Sequence, residues 1–512
     1  MANQSSPDSL NPDPEVPDQP ITTRAAPLSL HRTERRLLLL VLDLAALNAA
    51  LLLYLVARGD HATLGLPVGT RLGVNLLWAR PLWFLIPSAA WLFVAQAFDA
   101  YRLQTANRFA SSASAVLKSA VIILLFYVAV PYLTPTLPSS RRFWLILFGM
   151  TFGLLLAGRY LYVLALGRSA FRRPTLIVGT GWAGQTIARV LLQNDDGTHQ
   201  VVGFISDDHA TPGTRLKIAP ATDGSASIAP IDQGAFSVLG GSASLKDLVR
   251  RHHIRTIVLA ATDELDAEMV RVLTDCLEIG AQIVPMSQLY EQLTGRVPVE
   301  HVGDDWHLAM PLEHPGTGTL RPLAKRAFDL VSASIGLILL APLTPLIALA
   351  IRIESRGPVF YAQERVGKGG HIFKVFKFRS MRSGAEEDDA VWAQQGDPRV
   401  TRVGAILRAT HVDEFPQFLN ILRGEMSAVG PRPERPEFLD RLIAEIPFYT
   451  VRHAVRPGMA GWALVNCGYG SSVDDALRKL QYDLYYIKHQ SVSLDLVIIL
   501  KTILHSLGLQ GR

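Results

Sequence analysis

Residues 330–351 read LVSASIGLILLAPLTPLIALAI, an uncharged apolar stretch with two prolines, Pro342 and Pro345, just past its middle. Its length matches the roughly 20 residues that a helix needs to cross the hydrocarbon core of a bilayer. An interior proline removes a backbone hydrogen bond and costs about 3 kcal/mol in a regular helix. The stretch therefore predicts either a proline-kinked spanning helix or a helix that enters the membrane, breaks at the prolines and returns.

Four further apolar runs precede this stretch, and each is close to the length of a membrane-crossing helix: 37–56, 81–98, 113–133 and 143–166. Arginines cluster before the first run, within 32–36, and after the fourth, within 168–173. Positive residues favour the cytoplasmic face, so we expect four spans with both ends in the cytoplasm. A fifth crossing at 330–351 would move everything after it to the opposite face, which favours the returning helix.

The composition fits a membrane part joined to soluble parts. Of the 512 residues, 49% are hydrophobic and 19% are charged, and the length exceeds that of a single folded core. The net charge is +5, without a recognisable nucleic-acid-binding motif, so we expect the basic excess to face anionic lipid and not nucleic acid. Residues 1–32 are polar and proline-rich, which predicts a disordered cytosolic tail before a transmembrane region at 33–170.

Strand and helix patterns alternate from 171 to 300 and predict a doubly wound, Rossmann-like α/β domain. Three apolar stretches indicate strands, at 175–178, 201–205 and 256–260. A glycine motif, Gly179, Gly181 and Gly184, follows the first of them. Such glycines allow a tight turn and the close approach of a pyrophosphate to a helix N-terminus. Two interpretations stay open, namely a nucleotide-binding site at these glycines and the same turn without a ligand.

Asp413 and Glu414 form the candidate catalytic pair. They begin the stretch Asp413-Glu-Phe-Pro-Gln417, which contains Pro416. If Asp413 caps a helix, Pro416 falls in its first turn, where proline is tolerated, and the positive helix end faces a bound phosphate. Taken alone, such a pair is usually only a helix cap. Basic residues on both sides favour an anionic substrate, because they hold carboxylates ionised and bind phosphates. They are Lys377, Arg379, Arg408 and Arg432.

Several separated motifs, occurring in order, resemble the bacterial sugar transferase family, the monotopic polyprenyl-phosphate hexose-1-phosphate transferases. They are Lys325-Arg-Ala-Phe-Asp329, Gln363-Glu-Arg365, Phe376-Lys-Phe-Arg-Ser-Met381, Asp413-Glu-Phe-Pro-Gln417 and Gly430-Pro-Arg-Pro433. The upstream layout resembles the long form of this family, with a membrane α-helical bundle of four spans and a Rossmann-like (CoA-binding-like) domain at 171–300. The resemblance implies a linker at 301–321 and an α+β catalytic domain at 322–512, with a re-entrant membrane helix at 328–353.

The resemblance also implies the chemistry. Asp413 would attack the phosphorus that bears the sugar of a UDP-hexose, release UMP and form a phosphosugar-aspartyl intermediate. Undecaprenyl phosphate would then accept the hexose-1-phosphate, as the first step of exopolysaccharide, capsule or O-antigen synthesis. Glu414 would hold Mg²⁺ or assist the lipid phosphate, and Lys377, Arg379, Arg408 and Arg432 would bind phosphates. We expect a multi-pass enzyme of the inner membrane, homodimeric, with a cytoplasmic catalytic domain and either glucose or galactose as the hexose.

Two other functions stay open on the sequence alone. The glycine motif allows a membrane-bound, NAD-dependent nucleotide-sugar dehydratase or epimerase, although the Tyr-x-x-x-Lys motif of short-chain sugar dehydratases is absent. The third hypothesis is a non-catalytic membrane scaffold.

The apolar residues between Phe438 and Ile446 have helical spacing and predict either an interfacial helix or one packed on the domain core. His411 is expected to be structural.

Overall fold

The computed structural model describes residues 32–58, 81–129, 141–166, 172–194, 197–206, 213–217, 235–260, 266–299, 320–382, 399–467 and 472–507. The predicted tail at 1–32 lies outside these residues except for position 32. The predicted linker at 301–321 lies outside them except for positions 320 and 321. A helical region, a central sheet and a C-terminal mixed domain follow one another in the described part.

In the described residues of the N-terminal region there are five helices: α1 (Arg32–Arg58), α2 (Leu82–Ala97), α3 (Leu103–Ala106), α4 (Phe109–Ala129) and α5 (Arg141–Leu166). Among the described residues, α1 and α5 are long and apolar enough to cross a membrane, whereas α2 and α4 are shorter apolar helices. These helices are typical of a membrane protein. The count of four spans stays a prediction, because the length of α2 and α4 does not decide it.

A polar contact joins three helices of this bundle. Asp43 of α1 accepts hydrogen bonds from Arg159 Nη2 of α5 at 2.5 Å and from Trp91 Nε1 of α2 at 3.4 Å. Arg159 Nη1 donates to the carbonyl of Ala100 at 2.9 Å. Buried charges are tolerated in such surroundings when they are paired and hydrogen-bonded, so this contact fixes how the helices pack.

The central domain is a six-stranded sheet in the order β3-β4-β2-β1-β5-β6, parallel except for the edge strand β3. The strands are β1 (Arg173–Val178), β2 (His199–Ile205), β3 (Arg215–Lys217), β4 (Ala235–Gly240), β5 (Thr256–Leu259) and β6 (Gln282–Pro285), with helices α6 (Trp182–Gln193), α7 (Ser242–Arg251), α8 (Ala267–Glu278) and α9 (Met286–Thr294). Alternate residues of β1 enter two different cores, Ile177 in one and Leu176 in the other. Both sheet faces are therefore covered, and the predicted α/β domain is confirmed.

The C-terminal domain mixes helices with two small sheets, as expected for α+β. Its elements are α10 (Leu320–Leu340), α11 (Thr344–Glu354), β7 (Phe360–Val366), β8 (Ile372–Phe378), α12 (Arg402–Ala409), a 3₁₀ helix (Val412–Gln417), α13 (Phe418–Arg423), β9 (Ser427–Val429), α14 (Pro436–Glu445), β10 (Gly458–Ala460), α15 (Trp462–Cys467), α16 (Val473–His489) and α17 (Val492–Leu507). Strands β7 and β8 form an antiparallel hairpin, and β9 pairs with β10 in parallel. Buried residues such as Ile421, Leu480 and Ile498 share one core.

The apolar stretch 330–351 is a bent helix pair. Helices α10 and α11 meet at an angle of 59° across a break of three residues. Pro342 lies in that break, and Pro345 is the second residue of α11, where the missing N–H would have no partner in a helix anyway. The prolines thus break the helix as predicted. By length and composition the pair is either a broken span or a re-entrant loop, so the re-entrant topology stays a prediction.

The C-terminal domain contacts both other regions through polar bonds. Trp462 Nε1 donates to Gly295 O at 3.0 Å, just after α9, and Lys488 Nζ binds Glu291 Oε1 of α9 at 2.9 Å. Lys501 of α17 reaches Asp99, directly after α2, with 3.0 and 2.9 Å to its two carboxylate oxygens. These contacts fix the C-terminal domain against the sheet domain and against the N-terminal helices.

Candidate active site

The acid pair lies in a short 3₁₀ helix between α12 and α13. His411 precedes this turn with a left-handed backbone (φ 57°), so the 3₁₀ helix begins at Val412 and Asp413 is in its first turn. The expected cap role of Asp413 is therefore wrong, since the cap position is taken by His411. The reversal at His411 also turns both carboxylates inward, and Asp413 and Glu414 are only 7% and 8% exposed.

Glu414 is held by two cations from different parts of the chain. Lys377 Nζ, on β8, lies 3.0 Å from Glu414 Oε1. Arg432 binds the same carboxylate with both terminal nitrogens, Nη2 to Oε1 at 2.6 Å and Nη1 to Oε2 at 3.2 Å. Burial disfavours the charged form, but Arg432 and Lys377 outweigh it and hold the pKa of Glu414 well below its usual range. Glu414 is an anion at neutral pH.

Asp413 behaves differently from its neighbour. Its carboxylate has no hydrogen-bond or ion-pair partner among the residues that the structure describes. Burial and the adjacent Glu414 charge raise the pKa of Asp413 to about 6, against the opposing charges of Lys377, Arg408 and Arg432. The pair thus contains one engaged carboxylate and one carboxylate that is free to react.

Arg408 is brought to the pair by close packing of α12 on the end of β8. Its Nε donates to Ser380 Oγ at 2.9 Å, and a Cβ added at Gly404 of α12 would lie 2.0 Å from Ser380 O. A glycine is therefore needed where the two segments touch. Thr401 caps α12 by accepting a hydrogen bond from Gly404 N at 2.9 Å, which fixes the start of the helix that carries Arg408.

Arg379 contacts the segment that follows α11. Its Nη1 donates to Arg356 O at 3.0 Å, and its Nη2 donates to Ser355 O at 2.6 Å and to Ser355 Oγ at 2.8 Å. Carbonyls at the end of α11 carry the negative end of the helix dipole, which a guanidinium stabilises. The geometry favours a structural role for Arg379, fixing the membrane helix pair to β8. Phosphate binding by Arg379 stays an untested prediction.

Two residues outside the predicted set of site residues hold the cations in place. Asn420 of α13 accepts from Phe376 N at 3.2 Å and donates to Lys374 O at 2.7 Å, which holds β8 and its Lys377 against the acid pair. Arg452 is buried and donates to Arg432 O at 3.0 Å and to Asp483 Oδ2 at 2.8 Å. No local signal marks Arg452, because its partners are distant in sequence.

The acid pair is flanked by side chains that pack on the bent helix pair. Val412 and Phe415, on either side of Asp413 and Glu414, contact a core that contains Leu340 of α10 and Ile351 of α11. The outer face of the same helix pair exposes large apolar side chains, namely Ile338, Leu339, Leu346 and Leu349. The carboxylates therefore lie directly beside an element whose opposite face suits lipid.

The geometry can be set beside known proteins. A family model described as bacterial sugar transferase matches residues 320–508, and one described as CoA-binding domain matches residues 96–285. The exopolysaccharide production protein PSS of Rhizobium leguminosarum bv. phaseoli is 43% identical over 190 residues, which are 36% of this chain and 94% of that protein. The chain belongs to the bacterial sugar transferase family.

Longer relatives match this transferase as well. The UDP-N-acetylgalactosamine-undecaprenyl-phosphate N-acetylgalactosaminephosphotransferase of Aeromonas hydrophila is 44% identical over 241 residues, 47% of this chain and 56% of that protein. The undecaprenyl-phosphate glucose phosphotransferase of Komagataeibacter xylinus is 47% identical over 282 residues, 53% of each chain. The chain thus spans about half the length of these two curated relatives.

The family implies Mg²⁺, and the acid pair of the transferase fits it. Among the described residues no three His, Cys, Asp or Glu side chains cluster into a metal-binding set. Mg²⁺, however, commonly takes one or two carboxylates and completes its shell with water and substrate phosphates. Asp413 accepts no bond in the described part of the chain, and Glu414 Oε2 accepts one, from Arg432. Acceptor positions are therefore left on both carboxylates.

The glycine motif of the transferase forms the predicted turn between β1 and α6. Gly179 has a left-handed backbone (φ 107°), Gly181 precedes α6, and a Cβ on Gly184 would lie 2.0 Å from Gly179 O. Glycine is thus explained at 179 by the backbone conformation and at 184 by packing, without a ligand. Nucleotide binding by Gly179, Gly181 and Gly184 accordingly stays a prediction.

Helix α14 contains the apolar run from Phe438. Leu442 and Ile446 are buried in the domain core, and Phe438 and Leu439 pack partly against it, while Ile443 is exposed. Of the two interpretations offered for this run, the structure favours packing on the domain core.

Proposed function

We propose that this transferase moves a hexose-1-phosphate from a UDP-sugar to undecaprenyl phosphate, giving undecaprenyl-diphosphate-sugar and UMP. One observation carries the proposal: Asp413 is buried without a partner in the described residues, whereas adjacent Glu414 is held by Lys377 and Arg432. The printed names of the relatives support a phosphotransferase with an undecaprenyl-phosphate acceptor. Those names differ in the sugar, so we propose a hexose donor and not one particular sugar.

The reaction takes two displacements at one phosphorus. In the first, an Asp413 carboxylate oxygen attacks the phosphorus that bears the sugar, the bond from that phosphorus to UMP breaks, and UMP leaves with the bonding electrons. In the second, a phosphate oxygen of undecaprenyl phosphate attacks the same phosphorus, and the bond to Asp413 breaks. The carboxylate is regenerated, and the sugar phosphate is now joined to the lipid phosphate.

The two carboxylates suit two different tasks. With a pKa of about 6, Asp413 is mostly ionised at neutral pH and is more basic than an ordinary aspartate, which favours nucleophilic attack. Glu414 stays anionic and orients Arg432 and Lys377, whose N–H groups and charge then meet the substrate phosphates. Mg²⁺ held by Glu414 would, when bound, neutralise charge on the phosphoryl oxygens.

The membrane element gives this chemistry its location. A re-entrant α10–α11 pair would hold the acid pair at headgroup depth, where the phosphate of a polyprenyl lipid lies. Its exposed apolar face and its packing on Phe415 and Val412 support that placement. We accordingly propose a multi-pass, homodimeric enzyme of the inner membrane whose catalytic domain faces the cytoplasm, where nucleotide sugars are made.

Trapping the intermediate tests the proposal. Purified full-length protein is incubated with Mg²⁺ and UDP-sugars radiolabelled in the sugar, without lipid acceptor, and then denatured. We expect one equivalent of UMP and label bound to the polypeptide, and neither in the Asp413→Asn variant. Transfer that proceeds equally in Asp413→Asn, or that never labels the protein, would refute the mechanism.

The dehydratase alternative finds no support in these observations. The curated relatives described above are named as phosphotransferases or as an exopolysaccharide production protein, and the bacterial sugar transferase family model covers the acid-pair domain. Purified protein without bound NAD and with UMP release would exclude it.

A further inference from the structure

Glu354, the last residue of α11, lies where an acid is unfavourable for its own helix. The C-terminal end of a helix carries the negative end of the dipole, which favours a basic side chain and disfavours a carboxylate. Glu354 is exposed, so packing in a core does not explain it either. A residue that breaks a local rule in this way usually serves a contact elsewhere in the fold.

The carboxylate of Glu354 caps the start of α12. Arg402 N donates to Glu354 Oε1 at 2.6 Å, and Val403 N donates to Glu354 Oε2 at 2.8 Å. These are the first two N–H groups of α12, and such groups have no acceptor within their own helix. One side chain at the end of the membrane helix pair therefore holds the start of a helix of the active site.

Helix α12 is short, and it carries Arg408 near its other end. A helix of eight residues is unstable by itself, so its caps and its packing determine where it lies. Arg408 follows Arg402 by six residues, which is about 9 Å along the helix axis. Its carbonyl accepts from His411 N at 3.2 Å, two residues before Asp413. A shift at the start of α12 thus moves Arg408 relative to the acid pair.

Ser380 supplies a second attachment of α12. Its carbonyl accepts from Thr401 N at 3.1 Å, and its hydroxyl accepts from Arg408 Nε at 2.9 Å. Ser380 directly follows Arg379, whose guanidinium is bound to Ser355 and to the carbonyl beyond it, after α11. Both attachments lead to the same end of the membrane helix pair, and Glu354 is the direct one.

We propose that Glu354 is a positioning residue of the transfer reaction, which fixes Arg408 beside the acid pair by anchoring α12 to the end of α11. The inference rests on the proposed function and gives a role to an acid that the sequence motifs do not mark. Glu354 acts through Arg408, whose guanidinium meets a substrate phosphate. A displacement of 1 Å at a reacting group can cost about a hundredfold in rate. We expect a smaller loss here, because the attachment through Ser380 remains.

A double-mutant cycle on full-length protein in detergent tests this role by steady-state UMP release. The variants are Glu354→Ala, Arg408→Gln and the two combined. We expect Glu354→Ala to lower kcat/KM for the UDP-sugar about tenfold, and to cause no further loss once Arg408 is glutamine. Glu354→Gln keeps one acceptor at the same reach and should lose less. The matched control is Glu445→Ala, which removes an exposed glutamate paired with Arg441 at 2.8 Å and keeps wild-type kcat/KM.

Melting curves of the same variants separate positioning from stability. Rates are referred to the folded fraction, and Glu354→Gln replaces Glu354→Ala in the cycle if the alanine variant does not fold. Losses that multiply in the double variant would overturn the proposal. A loss no larger than that of the control, a loss explained by less folded protein, or wild-type turnover in Arg408→Gln would also overturn it. If the wild-type protein itself transfers no sugar phosphate, it is the proposed function that fails.

Discussion

Two ion pairs of this protein use the same chemical groups in opposite ways. In the helical bundle, the side chains of Arg159 and Asp43 are 1% and 2% exposed, and they are hydrogen-bonded to each other and to neighbours. At the acid pair, the side chain of Glu414 is 10% exposed while that of its partner Arg432 is 37% exposed. The first pair is closed to any ligand, and the second opens on one side.

The difference shows which pair can work on a substrate. A sealed pair in apolar surroundings cannot be reached by a substrate and contributes to how the helices pack. The open pair lies beside Asp413, which lacks a partner in the described residues, and beside a further cation, Lys377. Unequal ionisation of neighbouring carboxylates is typical of catalytic sites. Here burial raises the pKa of Asp413, whereas Arg432 and Lys377 outweigh burial at Glu414 and hold its pKa low.

Breaking the closed pair gives the largest expected loss of stability. Arg159→Gln leaves Asp43 charged and unpaired inside the bundle, and we expect it to destabilise the protein by about 3–5 kcal/mol. Thermal unfolding in detergent measures the loss. Turnover per folded molecule is expected to stay near wild type, and a selective loss of turnover instead would assign the bundle a catalytic role.

Changing the open pair is expected to affect turnover more than stability. Arg432→Lys keeps the charge but loses the two-nitrogen contact with Glu414, so we expect kcat/KM to fall about a hundredfold, or about 2.7 kcal/mol. Steady-state UMP release checks this. The exposed Arg441→Lys serves as control. If the loss of turnover is fully explained by a lower melting temperature, and thus by less folded protein, Arg432 is only structural.

Asp413 is expected to destabilise the fold at neutral pH. Its raised pKa means that the native state favours the protonated form, so stability is highest below the unfolded value near 3.8 and is lost as pH rises through about 6. Asp413→Asn should therefore stabilise the protein at pH 7.5 by about 3 kcal/mol. Melting curves at pH 7.5 and pH 4 test this, because the gain must shrink at the lower pH.

The pH dependence of transfer should follow the same carboxylate. As pH falls through about 6, Asp413 becomes protonated and loses its nucleophilicity, whereas Glu414 stays ionised. We expect kcat to fall about tenfold per pH unit below that point. Single-turnover UMP release from pH 5 to 8 measures the profile, and a rate that stays flat to pH 5 would contradict the assignment of Asp413.

The smallest expected effect concerns the contact between bundle and catalytic domain. Lys501, nearly buried, binds both oxygens of Asp99, which is partly exposed. We expect Lys501→Gln to lower stability by about 1 kcal/mol without changing kcat. Protease sensitivity of the full-length protein reports the loosened contact. A large drop in kcat would show that the bundle positions the acid pair.

Local patterns in the sequence predicted much of this molecule. Pro342 and Pro345 predicted the break between α10 and α11. A proline has no N–H to donate to a helical hydrogen bond, and this holds in any tertiary surroundings. The glycines at 179–184 predicted a tight strand-to-helix turn. The structure has this turn, and Gly184 has no room for a Cβ in it. The separated motifs of residues 325–433, read together with the basic residues around Asp413 and Glu414, identified the candidate pair and the family.

Only the tertiary structure decided what each charged group does. It engages Glu414 with Lys377, 37 residues away, and Arg432, 18 residues away, and leaves Asp413 free in the described part of the chain. It directs Arg379 to a helix end, and it brings Glu354 to the start of the helix that carries Arg408. Charge interactions depend on distance and burial in space, which the spacing of residues along the chain does not contain.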